Sequence, residues 1–160
     1  MNLKNISILI SWTAVLCGML LIFFLSSQPG KQSDQLSEGV AKVIVEAVEK
    51  VNPKANFNMS RLNHLLRKNA HFFAYLILGI LVMVALWTSG VSGKKGIVIA
   101  LCVCILYAIS DEVHQLYVPG RGGQVKDVLL DSVGAMVGIG LYQSIRVYRA
   151  CFFSRFIFYF

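Results

Sequence analysis

Four long apolar runs, separated by short polar stretches, dominate the pattern along the chain. They predict helices over residues 6–26, 60–88, 96–114 and 124–145. Each run approaches or exceeds the roughly 20 residues that a helix needs to cross a hydrocarbon core about 30 Å thick. The second run is longer than a membrane requires, so its first two turns should project from the bilayer or lie along it. The pattern predicts an all-α integral membrane helical bundle with four transmembrane helices.

The third run is the shortest of the four, since only residues 96–110 are free of charge. Fifteen residues of helix rise about 22 Å, which is short of a full crossing. The helix must therefore continue into Asp111, Glu112 and His114, and these groups should lie at the membrane edge or slightly below it. In the fourth run, Asp131 falls at least one turn inside the span.

Residues 33–51 have the pattern of an amphipathic helix rather than a span. Their apolar residues recur at spacings of three and four, which places one set on a single helix face: Leu36, Val40, Val43, Ala47 and Val51. Charges interrupt the run too often for it to cross a bilayer. We predict one amphipathic surface helix, on the membrane or over the mouth of the bundle, that ends at Asn52-Pro53.

Composition agrees with a membrane protein of one domain, residues 1–160. Hydrophobic residues make up 56% of the chain, whereas soluble domains have about 45–50%. The net charge of +7 comes from Lys and Arg that flank apolar runs, so we expect lipid headgroups rather than nucleic acid as partners. The four cysteines lie in apolar runs or in the tail, and we interpret them as buried thiols.

The distribution of charge predicts the orientation in the cell membrane. With four spans, both termini share one side, and that side has six basic residues and no acid: Lys4, Lys94, Lys95, Arg146, Arg149 and Arg155. The other side has nine basic residues and all eight acids, so a raw count of Lys and Arg favours the opposite orientation. Seven of those nine lie in the long first loop, and we give more weight to the short acid-free loop and the tail, which predict that both termini are cytoplasmic. The acidic groups would then face outward. Residues 146–160, rich in Arg and aromatic residues, are expected to form an interfacial anchor.

Polar residues at three helix ends should fall on the same side of the membrane. Helical spacing groups them in stripes, with Lys68 and His71 on the second span, Asp111 and His114 on the third, and Asp127 and Asp131 on the fourth. An acid within a span costs about 2.5–3.5 kcal/mol at the bilayer centre, so it normally has a partner or a function. We expect a four-helix bundle to gather these groups around one outward-facing pocket.

Two kinds of mechanism fit these residue types. In the first, a general acid–base set acts as a hydrolase or transferase on a lipid-linked envelope substrate; its candidate catalytic residues are His71, Asp111, Glu112, His114 and Asp131. The candidate substrate-binding residues are Lys68, Gln115, Arg121 and Asp127. A divalent metal is an option, but the sequence has no H-x-x-x-H pattern, so no ligand is assigned. In the second, the cluster binds a lipid or relays protons without bond cleavage.

The order and spacing of several short motifs resemble the VanZ-like family over residues 10–145. The motifs are Ser26-Ser27-Gln28-Pro29, Arg67-Lys68-Asn69-Ala70-His71-Phe72, Asp111-Glu112-x-His114-Gln115, Val118-Pro119-Gly120-Arg121 and Asp127-x-x-x-Asp131-x-x-Gly134. The resemblance implies a small bacterial membrane protein, since the family's namesake is associated with low-level teicoplanin resistance. It also implies that all nine candidate site residues belong to the family pattern. The expected function is to alter glycopeptide susceptibility by acting on or binding a surface lipid or cell-wall precursor.

Overall fold

The computed structural model describes residues 2–50 and 58–157. These residues form five helices and no strand: α1 (Leu3–Ser26), α2 (Gly30–Glu49), α3 (Met59–Thr88), α4 (Gly93–Gln115) and α5 (Val125–Ile157). The prediction of an all-α fold is confirmed.

Four helices within the described residues are long and apolar enough to cross a membrane: α1, α3, α4 and the segment Val125–Arg149 of α5. Many large apolar side chains point outward from the bundle; Leu20, Phe24 and Leu106 are each more than 60% exposed. Such a surface would associate in water but is the normal outer face of a bundle in lipid. The prediction of a multi-pass membrane protein is confirmed.

The helix ends differ from the predicted ones by a few residues. The third span continues through Gln115, as its short apolar run required, and α5 continues into the predicted tail as far as Ile157. The loop between α3 and α4 is shorter than expected, because α4 begins at Gly93 and takes up the lysines that follow it. Val51, Asn52 and Pro53 lie outside the described residues.

The non-spanning helix, α2, packs against α3 through a small part of its surface. Ala41 is completely buried, whereas Val40 and Val43 are 53% and 67% exposed. Much of the predicted apolar face therefore points away from the bundle, the arrangement by which a surface helix would insert into a bilayer. Two contacts position α2: Arg67 Nη1 lies 3.2 Å from Asp34 Oδ1, and the Gly30 N–H donates to the Pro119 carbonyl over 3.1 Å.

The closest helix packing is between α3 and α5, and it depends on glycine. A Cβ atom at Gly134 would collide with the Phe72 carbonyl, and one at Gly138 with the Leu76 carbonyl. On the facing helix, Gly79 lies equally close to the α5 backbone. Close backbone contact is a main source of helix association in lipid, where helices are not driven together by the hydrophobic effect.

The cysteine prediction is wrong at two positions. Cys104 is buried in the core, but Cys17 and Cys102 are exposed on the outer face of the bundle. An apolar position in a membrane helix can face lipid as readily as the interior, so hydrophobicity alone does not indicate burial in the protein. The side chain of Cys151 lies outside the described residues.

Replacing Gly138 by Ala should destabilise the bundle by about 1–3 kcal/mol, because the new methyl group forces α3 and α5 apart. Gly140 is the matched control, since a Cβ built there meets nothing within 4 Å apart from its own stretch of α5, whereas one at Gly138 meets the α3 backbone. Gly140→Ala should leave stability unchanged or raise it by up to about 1 kcal/mol through helix propensity. Thermal unfolding in detergent measures both variants, and equal melting temperatures would contradict the close packing.

Cysteine labelling in intact cells tests the predicted orientation. In a variant without native cysteines, Glu46→Cys on α2 should react with a membrane-impermeant maleimide, whereas Ser92→Cys in the α3–α4 loop should be protected. Both positions should react after the cells are permeabilised. The reverse pattern would place the termini outside the cytoplasm.

Candidate functional site

Three titratable side chains from three different helices meet inside the bundle. His71 of α3 places its Nδ1 atom 3.9 Å from Asp111 Oδ2 of α4 and 3.7 Å from Asp131 Oδ2 of α5. We call these three residues the His–Asp cluster. The side chain of His71 is 21% exposed, whereas those of Asp111 and Asp131 are 1% and 0% exposed. The two carboxylates of the cluster are therefore enclosed by the bundle, and the imidazole is its most accessible member.

Asp111 is held in place by hydrogen bonds from two side chains. Ser26 Oγ, at the end of α1, donates to Asp111 Oδ2 over 2.9 Å. Gln115 Nε2, one helical turn further along α4, donates to the same oxygen over 3.3 Å. The other oxygen, Oδ1, is buried and makes no hydrogen bond within the described chain. Oδ2 of Asp111 is thus held by two hydrogen bonds, and Oδ1 can still accept one.

Asp131 is the least satisfied polar group of the site. It is completely buried, and neither of its oxygens has a hydrogen-bond partner among residues 2–50 and 58–157. Buried polar atoms are almost always hydrogen-bonded, because an unpaired one costs about 1–3 kcal/mol and a charged one more. A carboxylate in this position needs a proton or a cation that compensates its charge.

A polar cavity of ≈ 90 Å³ opens beside the His–Asp cluster. One water occupies about 10–15 Å³ on this measure, so there is room for a small polar group. Seven of the nine candidate residues line the cavity: Lys68, His71, Glu112, Gln115, Arg121, Asp127 and Asp131. Asp111 lies behind His71.

Two acids at the cavity wall have partners within the protein. Lys68 Nζ lies 2.6 Å from Asp127 Oδ1, which joins α3 to the first turn of α5. Glu112 Oε2 accepts a hydrogen bond of 2.8 Å from the backbone N–H of Gln124, just before α5 begins. Both contacts position the start of α5, where carboxylates also interact favourably with the helix dipole.

Arg121 is the cation best placed to meet an anion in the cavity. Its Nη2 atom donates to the Leu25 carbonyl over 3.0 Å, but its buried Nε has no hydrogen-bond partner in the described part of the chain. Burial, and then the nearby Arg67, lower the pKa of Arg121 from its ordinary value. A guanidinium nevertheless stays charged in proteins, so the site contains two cations that repel each other.

His114 lies apart from the other candidate residues. Its Nε2 atom is 3.1 Å from Ser27 Oγ, and its ring stacks near that of Phe23 with 4.5 Å between centroids. Both neighbours belong to the end of α1. The structure therefore places His114 at the α1–α4 contact rather than at the cavity.

Sequence reasoning assigned no site role to Ser26, Arg67 or Gln124. Ser26 supports Asp111, while Arg67 and Gln124 line the cavity. Two signals were present, since Ser26 belongs to the polar end of the first run and Arg67 stands beside the Lys68–His71 stripe. The Gln124 contact is made by its backbone N–H, and side-chain patterns do not reveal such contacts.

An apolar groove of ≈ 460 Å³ adjoins the cavity between α1, α2 and α3. Most of its exposed lining surface is apolar, although only seven of its fourteen lining residues are: Ile22, Leu25, Val40, Leu66, Ala70, Phe73 and Ala74. The polar lining residues include Gln28, Ser33, Ser37 and Asn69. Arg67, His71 and Arg121 line both the groove and the cavity. The polar cavity and the apolar groove thus meet at one boundary, which two arginines and a histidine form.

The fold and site define a multi-pass membrane protein with a polar, His- and Asp-containing cavity at the ends of its spanning helices. The chain matches the VanZ/LLP1 family over residues 11–147 and belongs to it. It is therefore a VanZ-like membrane protein, of the family linked to glycopeptide resistance, as the motifs indicated. No curated protein and no solved structure matches the chain.

A double-mutant cycle measures how strongly the Lys68–Asp127 pair ties α3 to α5. With side chains only 28% and 26% exposed, the pair should have a coupling energy of about 1 kcal/mol. The control is Lys42–Glu38, which is 63% and 47% exposed and should couple by at most about 0.3–0.5 kcal/mol. Thermal unfolding of the single and double alanine variants gives both coupling energies. Equal coupling energies in the two pairs would show that the Lys68–Asp127 pair does not hold α3 and α5 together.

Proposed function

We propose that this VanZ-like protein binds an anionic membrane lipid or lipid-linked cell-wall precursor and thereby alters the response to glycopeptide antibiotics. The headgroup would occupy the polar cavity, and a hydrocarbon tail would occupy the apolar groove. One observation carries the proposal: the two spaces share Arg67, His71 and Arg121. An amphiphile has the same polarity boundary between its head and its tail.

The charges of the cavity favour an anionic headgroup. Asp127 already compensates Lys68, and Asp34 compensates Arg67 at an exposed position. Arg121 has no ion-pair partner within the described residues, and its Nε atom lacks a hydrogen bond. A phosphate or carboxylate between Arg121 and Arg67 would satisfy the free donor and reduce the repulsion between the cations.

The dimensions and position of the groove suit a lipid tail. Its volume of ≈ 460 Å³ lies within the range of roughly 300–1,000 Å³ that is typical of small-molecule sites. Val40 of α2 forms part of one wall and is itself half exposed. A chain in the groove would therefore remain in contact with the surrounding bilayer, which favours a lipid over a water-soluble ligand.

The His–Asp cluster supplies the groups that a reaction at the headgroup would need. His71 is the member at the boundary between cavity and groove, and its Nδ1 atom lies 3.7 Å from Oδ2 of Asp131, which also lines the cavity. Imidazole and carboxylate side chains are both common general bases and acids. Hydrolysis or group transfer on a bound envelope lipid would use this pair.

Lipid binding by Arg121→Gln tests the headgroup role. A lost charge-assisted hydrogen bond is worth roughly 1.5–3 kcal/mol, so affinity for vesicles or nanodiscs containing anionic lipid should fall at least about tenfold. Arg61→Gln, at an exposed position near the start of α3 that lines neither the cavity nor the groove, is the matched control and should bind normally. The teicoplanin phenotype of cells that express each variant should follow lipid binding.

Ala70→Trp tests the tail role, because the indole would fill the groove while the cavity keeps its charges. It should weaken binding of long-chain lipid more than binding of a short-chain analogue. Val98→Trp, on the lipid-facing side of α4, is the control. Equal binding by wild type, Arg121→Gln and Ala70→Trp would refute the proposal; turnover of labelled lipid by wild type would add catalysis to it.

A further inference from the structure

The distances within the His–Asp cluster are too long for hydrogen bonds and too short for independent groups. Histidine Nδ1 is 3.7 Å from one carboxylate oxygen and 3.9 Å from the other. A protonated imidazole that neutralised either acid directly would form a hydrogen bond of about 2.7–2.9 Å. The cluster instead surrounds a gap of roughly atomic size, bounded by one nitrogen and two carboxylates.

This gap has the dimensions of a metal site. One ligand atom from each of His71, Asp111 and Asp131 lies within 4.8 Å of the other two. Bonds of about 2.0–2.2 Å in a tetrahedral site place neighbouring ligand atoms about 3.4 Å apart. The two separations that involve His71, 3.7 and 3.9 Å, would contract by about 0.3–0.5 Å to reach that geometry. The separation between the two carboxylates is within 4.8 Å, so the aspartate side chains would also move toward each other.

The buried carboxylate of Asp131 is an independent indication of a missing partner. It is completely buried, and both oxygens lack a hydrogen-bond partner within the described residues. Asp111 Oδ1 is also buried without a partner within the described residues, whereas Asp111 Oδ2, the oxygen 3.9 Å from His71 Nδ1, accepts hydrogen bonds from Ser26 and Gln115. Two carboxylates and a neutral imidazole carry a charge of −2, so one divalent cation would make the site neutral. That compensation reduces the cost of burying two acids within the bundle.

We propose that His71, Asp111 and Asp131 bind one divalent transition-metal ion. Three protein ligands leave a fourth position open, and His71 and Asp131 both line the polar cavity, so that position faces it. Ser26 and Gln115 already orient Asp111 by hydrogen bonds, as residues around metal ligands commonly do. One imidazole with two carboxylates fits Zn²⁺ or Mn²⁺ better than Ca²⁺, which prefers oxygen ligands alone.

The three ligands come from three separate helices, which explains why no metal motif is visible in the sequence. A helical H-x-x-x-H pattern places two ligands on one element, whereas here each element supplies one. Metal binding does not require a bound lipid, so metal ions alone can test it.

The test uses full-length protein purified in detergent with a tag that contains no histidine. After chelator treatment, titration with Zn²⁺ and with Mn²⁺ should show about one equivalent bound per chain and a raised melting temperature. His71→Ala and Asp131→Asn should each weaken binding at least about tenfold. His64→Ala, an exposed histidine on the same helix, should bind metal like the wild type.

Pulsed electron paramagnetic resonance of bound Mn²⁺ identifies the ligand atoms directly. Coupling to one imidazole nitrogen is expected, and it should disappear in His71→Ala but persist in His64→Ala. Absence of nitrogen coupling, or equal metal affinity in wild type and the isosteric Asp131→Asn, would overturn the proposal. So would failure of both ions to bind the wild type.

Discussion

The close contact between α3 and α5 is the constraint on which the site depends. Gly134 lies against the backbone of Phe72, so the helices meet beside His71 and three residues beyond Asp131. No side chain separates the helices there, and the imidazole and carboxylate come within 3.7 Å. Helix association in lipid relies on such contacts, because hydrophobic burial gives little preference for one packing over another. The glycines that allow α3 and α5 to pack closely therefore also bring His71 and Asp131 together.

The other helices complete the site from their ends. The last turn of α4 brings Asp111 and Glu112 into the bundle, and Ser26 closes it from α1. The turn before α5 supplies Arg121. Polar groups concentrate at this end because the interior of a bilayer excludes unpaired charge, while a cavity between helices accepts it. The same geometry places a polar cavity next to an apolar groove. The proposals of amphiphile binding and of metal binding both rest on this arrangement.

The predictions from sequence were most accurate where a single helix determines the outcome. Span length required α4 to continue past Ser110, and it does. Helical spacing placed Lys68 with His71 and Asp127 with Asp131 on shared stripes, and all four line one cavity. His114 had the same spacing relative to Asp111 but turns toward α1. Spacing along one helix specifies a face of that helix, and it does not specify which neighbour covers the face.

The sequence by itself determined the membrane class, the number of spans, the family and the set of polar residues, since these follow from local hydrophobicity, length and motif order. Only the tertiary structure decided that His71, Asp111 and Asp131 share one gap, that Asp131 lacks a hydrogen-bond partner within the described residues, and that an apolar groove adjoins the cavity. The three residues that share the gap are 20 to 60 positions apart in the chain, and the groove joins residues as far apart as Ile22 and Arg121. The distances between such residues are set by how backbones pack against one another, which no local pattern encodes.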